Sequence, residues 1–64
     1  MKPSKEAFKR YVLVQKSGEF NMLDPNVQGA AKITKDEHLY IIKHYSALAK
    51  EYGINMDNVK MEEN

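Results

Sequence analysis

Thr34-Lys35-Asp36-Glu37 constrains this chain more than any other segment, because a threonine followed three residues later by a glutamate is the capping box that opens an α-helix. The threonine hydroxyl accepts the N–H of the third helical residue and the glutamate carboxylate accepts the N–H of the threonine. Two donors that a helix start leaves unpaired are satisfied at once. The residues that follow keep a helical period: Ile41, Ile42, Tyr45, Leu48, Ala49 and Tyr52 recur at steps of three and four, with Lys43, Lys50 and Glu51 off the stripe. Gly53 then supplies the left-handed residue that ends a helix, and Ile54 can pack back on the last turn. The pattern predicts a helix over 35–52.

Two further helix starts precede it. Ser4 stands before Lys5-Glu6-Ala7, where a serine caps and an early carboxylate favours the helix dipole. Ala7, Phe8, Tyr11, Val12 and Val14 follow at helical spacing, and Lys16-Ser17-Gly18 closes a helix over 5–17. Asp24-Pro25 starts a short helix over 25–32, since aspartate caps and proline at the first position loses no needed donor. Gly29 within it costs about 1 kcal/mol against alanine, which suggests close approach of a neighbouring helix. Between the first two helices Phe20, Met22 and Leu23 are unusually bulky for a solvated connection and are expected to plug the core. No strand-like alternation is sustained. The expectation is an all-α, small three-helix domain over 1–54: a long N-terminal helix, a short middle one, a long C-terminal one, and a polar, acidic-ended tail over 55–64. Its core is expected from Phe8, Val12, Phe20, Met22, Leu23, Val27, Ile42, Tyr45, Leu48 and Tyr52.

At 64 residues the chain holds one small core, and with no cysteine it has neither a disulfide framework nor a thiolate metal site to reinforce it. Helix packing and self-association are the remaining sources of stability. A net charge of +1 names no partner. The charge is uneven, however: residues 1–18 set Lys2, Lys5, Lys9, Arg10 and Lys16 against Glu6 alone. A solvated helix face explains that excess, and a basic surface for a polyanion or an acidic protein is the sharper reading. No apolar run reaches the roughly 18 residues of a membrane span and no apolar core follows the first six residues, so the expected location is cytoplasmic, without membrane contact.

Chemistry is poorly provided for. His38 and His44 lie about 120° apart around one helix, too far round to close on one ion, and the sequence predicts neither a metal nor any other cofactor. His38 is expected to pack against Ile33, and His44 to be solvated or near Tyr40. Ser4, Ser17 and Ser46 have no base at a recognisable spacing, and capping explains Asp36 and Glu37, so no enzyme is expected.

Surfaces are the better guide. Val12-Leu13-Val14 puts apolar side chains around much of the first helix, and Tyr40 lies off the stripe of the third. Lys9, Arg10, Leu13, Val14 and Tyr40 form the candidate interaction surface, with self-association expected as a symmetric antiparallel dimer through the first helix. The stretch from Val27 to Glu37 also has the outline of a helix-turn-helix, which makes DNA the alternative partner. Against it, Asp36 and Glu37 would face phosphate, and no Arg, Asn or Gln is placed for base edges. A third reading is an oligomer that holds a small anion on the basic first helix.

The octad Ser17-Gly18-Glu19-Phe20-Asn21-Met22-Leu23-Asp24, followed by Val27 and a short alanine-containing helix, resembles the S-G-x-x-N-M-x-D segment of small bacteriophage- and prophage-encoded proteins. The run from Tyr45 to Gly53 is similar to their usual close, so the resemblance covers roughly residues 10–53. It implies phage origin and a helical fold, and no activity. Read physically, Gly18 stops the first helix, Asn21 bonds its own backbone, Met22 fills the core and Asp24 caps the next helix. The functional expectation is a non-enzymatic phage protein-interaction module, binding a host or phage protein to modulate host machinery or defence.

Overall fold

The computed structural model describes residues 2–54, and the tail expected over 55–64 lies outside them. Three helices follow in order: α1 (Lys5–Ser17), α2 (Asn26–Ala31) and α3 (Lys35–Tyr52). The fold is all-α, as the capping signals and helical stripes predict.

The helix ends are built by the residues the sequence nominates. Ser4 Oγ accepts the Ala7 N–H at 3.1 Å at the start of α1. At α3 both halves of the capping box are made: Thr34 Oγ1 accepts the Glu37 N–H at 3.1 Å and Glu37 Oε1 accepts the Thr34 N–H at 2.9 Å. Gly18 and Gly53 both take left-handed φ, +73° and +67°, where a Cβ would be strained. Ile54 is buried beyond Gly53 and donates its N–H to Ala49 O at 3.1 Å. The middle helix starts one residue later than expected, with Pro25 in the capping position, although Asp24 Oδ1 still accepts the Asn26 N–H at 2.8 Å.

Packing is an aromatic seam between α1 and α3. The Phe8 ring centroid lies 5.4 Å from that of Tyr45 and 6.0 Å from that of Tyr52, and Tyr11 lies 6.2 Å from Tyr45. The two α3 tyrosines keep their hydroxyls bonded, Tyr45 to Gln15 Oε1 and Tyr52 to Pro3 O, each at 2.7 Å. That arrangement places an apolar ring body in the seam and a satisfied polar tip at its edge. Lys2 pairs with Glu51 at 2.6 Å and tethers the N-terminal segment to the end of α3. Ala7, Phe8, Tyr11, Val12, Val27, Ala31, Ile33, Ile41, Leu48 and Ile54 make the buried core, with Met22, Tyr45 and Tyr52 packed against it.

Three expected core residues are misplaced by the sequence reading. Phe20 and Leu23 are exposed, Leu23 at 67%, because the loop turns on Met22 alone and throws its neighbours outward. Ile42 is exposed, and Ile41 takes its place at the centre of the seam. Gly29 is not a site of close approach either: a Cβ built there meets nothing within 4 Å. Leu13 and Val14, expected to face outward, are half-buried and packed on the core.

Candidate functional site

Three segments converge on one side chain. His38, in the second turn of α3, is 2% exposed and has both ring nitrogens engaged. Nε2 lies 2.8 Å from Met22 O and Nδ1 lies 3.0 Å from Gln28 Nε2. A carbonyl oxygen only accepts, so the ring proton sits on Nε2 and donates to Met22, while Nδ1 accepts from the Gln28 amide. The ring centroid is 6.0 Å from that of Tyr11 in α1. His38 therefore joins α1, the α1–α2 loop, α2 and α3 through one imidazole ring.

The loop is shaped to present Met22 to it. Asn21 Oδ1 accepts the Leu23 N–H at 3.0 Å, and Asn21 O accepts the Asp24 N–H at 2.8 Å. These bonds make a tight turn whose carbonyl faces α3 while Phe20 and Leu23 stay in solvent.

A second device braces α2. Arg10 Nε donates to Ala31 O at 2.8 Å and Nη2 donates to Lys32 O at 3.1 Å. These are carbonyls at the end of α2, which have no helical partner and carry the negative end of the dipole. Lys32 itself holds a left-handed φ of +57°, unusual for a residue with a Cβ.

Four large apolar side chains are exposed around this junction: Phe20, Leu23, Leu39 and Ile42. Phe20 and Leu23 flank Met22 in the chain, and Leu39 and Ile42 follow His38 on α3. The Met22–His38 hydrogen bond ties the loop that carries Phe20 and Leu23 to the helix that carries Leu39 and Ile42. On α3, Leu39 and Ile42 are three residues apart, Ile42 one turn beyond His38 at the edge of the packed face and Leu39 further round towards solvent. A shallow cleft of about 270 Å³ lies beside Leu39, lined by Asp36, Leu39, Tyr40, Lys43 and His44. The Tyr40 and His44 rings stack there at 4.5 Å. His44 departs from helical dihedrals, with φ −127° and ψ 29°, and kinks α3 at that point.

The residues singled out from sequence are distributed differently. Lys9 is exposed, Arg10 is engaged with the end of α2, and Leu13, Val14 and Tyr40 are half-buried against the core. The structure gathers no free apolar face from Leu13 and Val14. The large apolar side chains left exposed are instead Phe20, Leu23, Leu39 and Ile42, and the one readable signal for them is Leu39 beside Tyr40, off the core stripe. Burial raises the Tyr11 hydroxyl pKa above its ordinary value, with neighbouring Tyr45 adding to it, and burial raises that of Tyr45 as well. Among the described residues no group of three His, Cys, Asp or Glu side chains is placed to hold a metal ion. No described helix is long and apolar enough to cross a membrane. No protein-family model, curated protein or solved structure matches the chain.

Proposed function

We propose that the chain is a small non-enzymatic protein-interaction module of bacteriophage or prophage origin. It acts in the host cytoplasm and meets a host or phage protein through the patch of Phe20, Leu23, Leu39 and Ile42. The observation that carries this reading is the exposure of four large apolar side chains around one rigid, fully hydrogen-bonded junction. Scattered exposed apolar residues are ordinary, and what favours contact here is that the two segments carrying these four are tied together through a buried histidine.

The test is capture from bacterial lysate by the immobilised full chain and by its Leu23→Glu variant. A protein retained by the first at high salt and lost by the second supports the reading. Retention by both, or loss at modest salt, removes it. The connectivity of α2, a short turn and α3 keeps a helix-turn-helix as the second reading, with Asp36 and Glu37 at the head of α3 weighing against it. Phosphate-driven DNA binding weakens steeply as salt rises, so the same salt series separates the two.

A further inference from the structure

We propose that the α3 half of the patch docks antiparallel against α3 of a second copy of this chain across a two-fold axis. The inference rests on reading the patch as a protein-contact surface, and goes on to say which protein covers its α3 half.

The argument is one of charge placed around an apolar pair. Leu39 and Ile42, both exposed, form a short stripe on the part of α3 that precedes the kink at His44. Asp36 and Lys43 are exposed and stand seven residues apart, which is two helical turns or about 10.5 Å along the axis. They share the solvent flank of that stripe, one towards each end. No ion pair within the described residues involves either of them.

When two antiparallel helices pack with Leu39 of one against Ile42 of the other, the positions that flank the stripe meet in a fixed register. In that register residue 36 of one copy faces residue 43 of the other, and the two-fold repeats the contact. Two Asp36–Lys43 ion pairs form, one at each end of a four-residue apolar contact. Parallel packing instead sets the flank with Asp36 and Lys43 against the partner's opposite flank, the one with His38 and Tyr45, so neither ion pair is made. The face is therefore self-complementary in one orientation only, which is what a two-fold interface between identical chains requires. On the opposite flank lie His38 and Tyr45, which belong to the chain's own packed seam.

The dimer expected from sequence ran through α1 and Leu13 and Val14; this one uses a different surface, since both those side chains are already packed on the core. It also supplies what a single core in a 64-residue chain lacks, further apolar burial without a disulfide or metal.

Sedimentation equilibrium of the full chain, from dilute to hundreds of micromolar, decides it. The wild type is expected to reach twice its 7.4 kDa mass. Lys43→Asp makes both end contacts repulsive and is expected to weaken dimerisation about tenfold, from the magnitude of exposed ion pairs. Asp36→Lys does the same, and the double swap Asp36→Lys with Lys43→Asp is expected to restore the wild-type association. Circular dichroism checks that each variant folds; because Lys43 is remote from the capping box, Lys43→Asp alone decides the matter if Asp36→Lys unfolds. A wild type monomeric throughout, a dimer indifferent to Lys43→Asp, or a folded double swap that stays dissociated overturns the proposal. None of those results touches the reading of the patch as a surface for another protein, which fails when Leu23→Glu keeps the captured partner or when the wild type loses it at modest salt.

Discussion

Replacing His38 by leucine isolates the junction on which the account depends. Leucine is apolar and of comparable bulk, so the seam stays filled while two hydrogen bonds vanish, one to Met22 O and one to the Gln28 amide. Each is worth about 0.5–1.5 kcal/mol net, and the abandoned Met22 carbonyl adds a further penalty of about 1–3 kcal/mol if it stays buried. Gln28 is only half-buried and turns to water, which limits its share. The expected loss is about 2–3 kcal/mol, a large part of the roughly 3–5 kcal/mol that a core of this size supplies. In a chain this short such a loss lowers Tm by about 10–20 °C. Urea denaturation followed by circular dichroism measures it, and a double-mutant cycle with Gln28→Leu isolates the Nδ1 bond, with an expected coupling of about 0.5–1 kcal/mol. The ring nitrogens provide an independent check, since their chemical shifts should report the tautomer protonated at Nε2. Stability of His38→Leu within about 0.5 kcal/mol of wild type would refute the reasoning, because surface changes already lie in that range.

Other outcomes follow from the same packing. Ile41→Ala is expected to lose about 2–5 kcal/mol and Ile42→Ala less than about 1 kcal/mol, and chemical denaturation of the pair shows which isoleucine belongs to the seam. Gly29→Ala is expected to gain up to about 1 kcal/mol, because the added Cβ meets no atom and the helix loses its most flexible residue; thermal melting reads the gain. Lys32→Gly relieves a left-handed φ and is expected to raise Tm by several degrees, as long as the Arg10 bonds to the Ala31 and Lys32 carbonyls persist. Because burial raises the Tyr11 and Tyr45 hydroxyl pKa values above 10.0, the folded state favours their neutral forms. Their contribution is complete below pH 10.0 and is lost as pH climbs through the raised values, so Tm should fall on the alkaline side of pH 10.0 and stay level with respect to these groups below it.

What the sequence reveals here is what is decided within a few residues. Ser4, Thr34 with Glu37, Gly18 and Gly53 act on backbone groups no more than about four positions away, so the helix ends are readable directly. Asn21 in its turn and Asp24 at the head of α2 are readable for the same reason. The junction is another matter. His38 reaches Met22 and Gln28, 16 and 10 residues distant, and Arg10 reaches carbonyls 21 and 22 residues on. No local spacing encodes such partners, so a histidine on the core line reads as incidental and an arginine among lysines reads as surface. Ile41 and Ile42 differ by 100° around α3, and a stripe that holds both leaves the choice of inner residue to whichever lines up with His38 and Leu48. Loop side chains carry no period at all, and Phe20 and Leu23 look the same in the sequence whether they point in or out.

If copies of this chain meet through the face built on Met22 and His38 and not through α1, rising concentration perturbs that face alone. Methyl spectra of the isotopically labelled full chain, recorded as concentration rises from tens of micromolar to about a millimolar, test it most directly. The Leu23, Leu39 and Ile42 methyl resonances should move together while those of Leu13 and Val14 stay fixed. Movement of Leu13 and Val14 with Leu39 and Ile42 unmoved would contradict it.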